Sequence, residues 1–181
     1  MLTDFTRDHA FTIAWFGLMA FVWFGWGQED PPPRWRWRLG VASGLGAILA
    51  GGFGYSVALH AGDGSALDGR YQWFGVVVGL EVLLAGAGCL VLARRSQSRW
   101  MAWWVALVVA LHFIPLALFL GDWSLALLGL IQAAALFVLL PRLRRSDEVT
   151  SRLVGPVMGV SLLAFAVVSA VVFLVRFGSP W

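Results

Sequence analysis

Two stretches of the sequence place titratable side chains among residues that offer them nothing: VVVGLEVLLAG carries Glu81, and ALHFIPLAL carries His112. A charge in hydrocarbon costs about 2.5–3.5 kcal/mol on insertion scales, so an ionisable residue inside an apolar run is read as functional by default. At about 1.5 Å of rise per residue, Glu81 falls about 14 Å from one end of its run, and His112 about 12 Å from the same-side end of its own. On the same count Gln132 falls at about 13 Å and Ser169 at about 10 Å. Four polar side chains on four consecutive runs are thus expected in one layer, slightly to one side of the midplane.

Pro115 adds a fifth group to that layer. It has no N–H, so the carbonyl of Leu111 loses its usual helical donor and a kink is expected there. A carbonyl freed beside His112 and opposite Glu81 suits a cation, a proton carrier or a water. The expected binding set is therefore Glu81, His112, Gln132, Ser169 and the Leu111 carbonyl, with no metal and no cofactor. The competing reading is a lock, in which a neutral Glu81 donates to His112 or Gln132. Interhelical hydrogen bonds of that kind average about 0.6 kcal/mol. Taken alone, Gln132 reads as structural and Ser169 as weak, since serine often bonds its own helix backbone.

The elements that carry these residues follow from composition. Of 181 residues, 60% are hydrophobic and 13% charged, against about 25% charged in a soluble domain. Lipid is the only solvent that suits such a surface. Spanning a bilayer core takes about 20 apolar residues in a helix, and six runs qualify, at about 10–28, 39–60, 72–93, 100–120, 123–140 and 153–176. They lack the period-two alternation of barrel strands. The expectation is an all-α, single-domain, polytopic bundle of six transmembrane helices in three antiparallel hairpins. The fourth and fifth runs are separated only by LGDW, where Gly121 and Asp122 read as a turn and an N-cap. A helical LGDW would reduce the count to five. The leading MLTDFTRDH lacks the basic region and cleavage site of a signal peptide, so the first run is expected to remain.

Faces decide whether equal depth becomes contact. On the third helix Gly75, Gly79 and Gly86 form one stripe, and Glu81, Ala85 and Gly88 another nearly opposite. Small residues mark close helix approach in a bilayer, so this helix is expected to be packed on both flanks. Gly40, Gly44, Gly51 and Gly54 of the second helix are the expected partners of the first stripe.

All thirteen basic residues are arginines, and ten of them fall in the loops after helices one, three and five. Cytoplasmic loops collect basic residues, which predicts non-cytoplasmic termini and leaves no need for a nucleic-acid partner. Most tryptophans, among them Trp26, Trp35, Trp37, Trp73, Trp103, Trp104 and Trp123, lie near predicted helix ends and read as interfacial anchors. PPPRWRW reads as a stiff, extended link, and RLRRSDEVTSR as a solvated basic loop. His9 and His60 are expected at the outer surface, at the wrong depth to share a haem with His112. DGSALDG lacks the spacing of a calcium loop and reads as a solvated turn. The single cysteine, Cys89, excludes an intramolecular disulfide and a multi-cysteine metal site.

RYQWFGVVVGLEVLLAGAG and WVALVVALHFIPLALF resemble runs in a group of small bacterial polytopic membrane proteins. The likeness covers the middle third of the chain and implies a multi-pass protein of the bacterial cytoplasmic membrane, with no activity attached. Arginine in place of lysine fits a GC-rich bacterial genome. The tryptophan-rich sensory proteins are a poorer match, because that family has five helices and Asn and Trp motifs that this sequence lacks.

Three functions remain open. The first is transport or sensing of a small solute or proton through an outward-facing polar pocket on Glu81 and His112. The second is a non-catalytic scaffold or accessory subunit, binding a second copy or another membrane protein through glycine-rich helix faces. The third is an intramembrane lipid-modifying enzyme with Glu81 and His112 as an acid–base pair and Ser169 as the nucleophile.

Overall fold

The computed structural model describes residues 4–181; the first three positions of MLTDFTRDH lie outside that range. Six helices make up the fold: α1 (Thr6–Trp26), α2 (Arg36–Leu59), α3 (Tyr71–Arg94), α4 (Met101–Leu120), α5 (Trp123–Arg144) and α6 (Ser151–Phe177). All six are long and apolar enough to cross a membrane, and no strand occurs among the described residues.

Local chemistry explains the boundaries. Gly121 ends α4 in a left-handed conformation at φ 66°, which glycine adopts without a Cβ penalty. Asp122 then caps α5, its carboxylate accepting the Ser124 N–H at 2.9 Å. LGDW is therefore a turn, and α4 and α5 are separate helices. Several helices are longer than the hydropathy runs. α1 begins at Thr6 and α5 continues to Arg144, because polar residues at a membrane surface end a hydrophobic run without ending a helix. The proline link is correspondingly short: Pro33 opens a 3-10 turn, Pro33–Trp35, that leads directly into α2.

α1 and α6 form the best buried seam. Gly155 of α6 sits so close to α1 that an added Cβ would stand 2.6 Å from the Gly27 backbone, and one on Gly159 would stand 2.7 Å from the Phe24 ring. α1 meets α2 just as closely through Gly17 and Gly46, each facing the other's carbonyl oxygen. α4 packs on α5 where Gly129 meets the Ala110 carbonyl. The main core joins Phe16, Trp23 and Phe24 of α1 to Phe113 and Leu116 of α4, Leu125 and Leu136 of α5, and Met158 and Leu162 of α6.

α3 departs from expectation. It leans on α4 and makes no comparable interface with α1 or α2, and none of its residues is fully buried. The stripe carrying Glu81, Ala85 and Gly88 is the half-buried side. A Cβ at Gly75, Gly79 or Gly86, or at Gly40, Gly44, Gly51 or Gly54, would meet nothing within 4 Å. The expected glycine seam between α2 and α3 is not formed. The glycines that do permit close approach include Gly17, Gly46, Gly88, Gly129, Gly155 and Gly159. The reason is geometric: a glycine stripe permits contact without selecting a partner.

The loops are less solvated than their composition suggests. Asp8 of α1 accepts the Ala66 N–H at 2.7 Å and the Ser65 hydroxyl at 3.1 Å, so SALD folds onto α1 with Ser65 and Leu67 buried. Between α5 and α6, buried Thr150 donates its hydroxyl to the Arg99 carbonyl at 2.7 Å and accepts the Trp103 N–H at 3.3 Å.

Candidate functional site

Register along the α3–α4 seam is set by one tryptophan. The Trp104 ring fills the space that Gly88 leaves empty, so that any side chain at 88 would collide with it, and its indole N–H donates to the Leu84 carbonyl at 3.0 Å. Trp103 likewise donates to the Leu136 carbonyl of α5 at 3.3 Å. Both were expected as interfacial anchors; in the fold they tie helices together. From the Gly88–Trp104 contact, seven residues back along α3 and eight forward along α4 are both about 11–12 Å of helix. That places Glu81 beside His112, with Oε2 3.4 Å from Nδ1.

The pair is mostly enclosed, the Glu81 side chain being 19% exposed and that of His112 10%. The 3.4 Å contact lacks hydrogen-bond geometry, and neither His112 nitrogen has a hydrogen-bond partner among the described residues. A buried polar group without a partner costs about 1–3 kcal/mol, so His112 is not explained as a structural tie.

Both residues line a cavity of about 220 Å³. Its walls include Phe11, Trp15, Phe16 and Trp23 of α1, Phe74 and Val78 of α3, and Val109 and Phe113 of α4, with Leu125 and Leu162 from α5 and α6. Apart from Glu81 and His112 no titratable residue lines it, and the Thr12 hydroxyl is already donated to the Asp8 carbonyl at 2.8 Å. The cavity lies between α1 and α3, which do not pack together, and two of its α1 residues, Phe11 and Trp15, are exposed.

The other three predicted members lie elsewhere. Gln132 is fully buried and donates through Nε2 to the Ser161 hydroxyl at 2.8 Å, joining α5 to α6. Ser169 sits 3.0 Å, through its hydroxyl, from Nε2 of His9. Leu111, whose carbonyl was the expected member, is not among the residues lining the cavity, and α4 continues through Pro115 as one helix. Equal depth therefore brought two of the five together, since facing depends on rotation about each axis as well as on depth.

His9 corrects the reading of its surroundings. It lies within α1, 1% exposed, with Nε2 3.1 Å from the Ser169 carbonyl, edge-on to Phe173 and Phe177. A carbonyl only accepts, so Nε2 carries the proton and Nδ1 is left a bare acceptor. His9 has helical spacing with Ile13, Phe16 and Ala20 on the buried face of α1, one residue before the apolar run begins.

No family model matches the chain, and neither does any curated protein or solved structure.

Proposed function

We propose that this is a multi-pass protein of a bacterial cytoplasmic membrane that transports or senses a small solute or proton through a pocket built on Glu81 and His112. The proposed topology has three antiparallel hairpins with both termini outside the cytoplasm, which leaves ten of thirteen arginines on the cytoplasmic side. In this arrangement the pocket lies in the outer half of the bilayer.

One observation carries the reading: a carboxylate and an imidazole 3.4 Å apart share the wall of a cavity that holds no other titratable group. Such a pair can exchange a proton with whatever enters, because a carboxylate held among apolar walls is neutralised by a proton, a cation or a charged neighbour. The test is a pH titration of tryptophan fluorescence, since Trp15 and Trp23 line the pocket. The wild-type protein is expected to show a transition that Glu81→Gln abolishes while the fold is retained. A transition that persists unchanged in the variant rejects the reading.

The scaffold reading is supported by the open space over Gly75, Gly79 and Gly86; on it, substitutions there weaken a complex while Glu81→Gln does not. The enzymatic reading is the weakest. Ser169 is fully buried, away from the Glu81 cavity, and the nitrogen nearest its hydroxyl is the one that already donates to a carbonyl.

A further inference from the structure

Given the Glu81–His112 pocket proposed above, the charge state of its walls restricts what can enter. The cavity presents one carboxylate and one imidazole and no arginine. Among the described residues, titratable groups facing Glu81 are few: His112 from α4, none from α1, whose lining residues run from Phe11 to Trp23, and none from α5 or α6, which contribute Leu125 and Leu162. The pocket is neutral in three ways: with Glu81 protonated, with the proton on His112 beside a carboxylate, or with both deprotonated and a foreign cation present. The first two keep one proton, and the third replaces it.

Two further features suit a cation of a particular kind. The walls are rich in aromatic residues, with Phe11, Trp15, Phe16, Phe74 and Phe113 lining the same cavity as the carboxylate, and ring faces attract a desolvated cation. His112, nine-tenths buried, has no hydrogen bond at either ring nitrogen among the described residues, so its neutral form has an acceptor free for the N–H of a protonated amine, a contact a quaternary ammonium forgoes. The volume of about 220 Å³ exceeds the roughly 150 Å³ of an apolar cavity that holds a benzene ring. The two α1 aromatics Phe11 and Trp15 that line it are exposed where α1 and α3 do not pack together, on helices apolar enough to span a membrane, which favours a molecule that dissolves in lipid.

We infer that the occupant is a small lipophilic monovalent cation, an apolar amine or quaternary ammonium, which reaches Glu81 sideways from the bilayer and takes the place of one proton. One positive charge enters and one proton leaves, whether that proton was on Glu81 or on His112.

Benzyltrimethylammonium tests this, because it has no titratable proton of its own. It is titrated by calorimetry into the full chain in lipid nanodiscs, in buffers of different ionisation enthalpy, with empty nanodiscs as the blank. The expected result is about one proton released per cation bound, with affinity rising about tenfold per pH unit while the site is still protonated. Neopentylbenzene, its neutral isostere, and benzylsulfonate, an anion, are expected to bind at least about tenfold more weakly. Glu81→Asp keeps the proton release, and Glu81→Gln loses it together with at least about tenfold in affinity. If Glu81→Gln fails to fold, the wild-type probe series and Glu81→Asp still decide the matter. Equal binding of the neutral isostere, or cation binding without proton release, overturns the inference. If the fluorescence transition depends on Glu81 but the cation does not bind, the inference fails and the proton-exchange reading stands. If neither occurs, both fail.

Discussion

His9 and His112 are the same side chain in the same protein, each against a neighbouring helix, and they are held differently. His9 is clamped: Nε2 meets the Ser169 carbonyl and hydroxyl and two phenylalanine rings enclose it, and at the far end of the same α1–α6 seam an added Cβ on Gly155 would stand 2.6 Å from the Gly27 backbone. His112 has an ion-pair distance to one carboxylate, no hydrogen-bond partner, and a cavity beside it. The α1–α6 seam buries its polar atoms to hold two helices together. The α3–α4 seam is fixed at Gly88 and Trp104 and left open at Glu81. A bundle whose stability rests on the first seam can leave the second free for a ligand.

The largest effect is expected where backbone meets backbone. Gly155→Leu drives a side chain into Gly27, and overpacking costs about 1–3 kcal/mol even where side chains can yield. A melting temperature lower by at least several degrees in detergent, or loss of folded protein, is the expected outcome, and a wild-type melt breaks the comparison. His9→Phe keeps a ring but removes the bond to Ser169, at a cost of about 1–3 kcal/mol. His112→Phe removes no hydrogen bond and relieves a buried imidazole of its unpartnered nitrogens, so it is expected to cost less stability than His9→Phe, while altering the pH response of the fluorescence. Denaturation of the two variants side by side sharpens the contrast; equal losses, or a larger loss at His112, remove it. The smallest effect is expected at Gly79→Ala, which meets open space and leaves the melt of the isolated chain unchanged. A loss of self-association there, measured by sedimentation in detergent, would favour the scaffold reading.

Much of the architecture was legible along the chain. The six spans followed from run length and the solvent they require, and the LGDW turn from a glycine that reaches positive φ and an aspartate that caps. Glu81 and His112 were legible as anomalies, because a titratable residue in an apolar run contradicts its surroundings whatever the fold. The α2–α3 glycine seam and the four-helix polar layer were not legible. Glycine admits a neighbour without attracting one, and depth leaves rotation undetermined. Gln132 through its Nε2 and Ser169 through its hydroxyl met Ser161 and His9, which ordinary hydropathy does not single out.

What the sequence determined by itself was the solvent, the number of spans and the two residues least at ease in it, since transfer energies depend on residue type and run length alone. Tertiary structure decided which polar groups met, that α3 would lean on α4 by one face, and that a cavity would remain between it and α1. Those outcomes depend on how six cylinders rotate and pack together, with Trp104 seated at Gly88 fixing the register that brings the carboxylate to the imidazole.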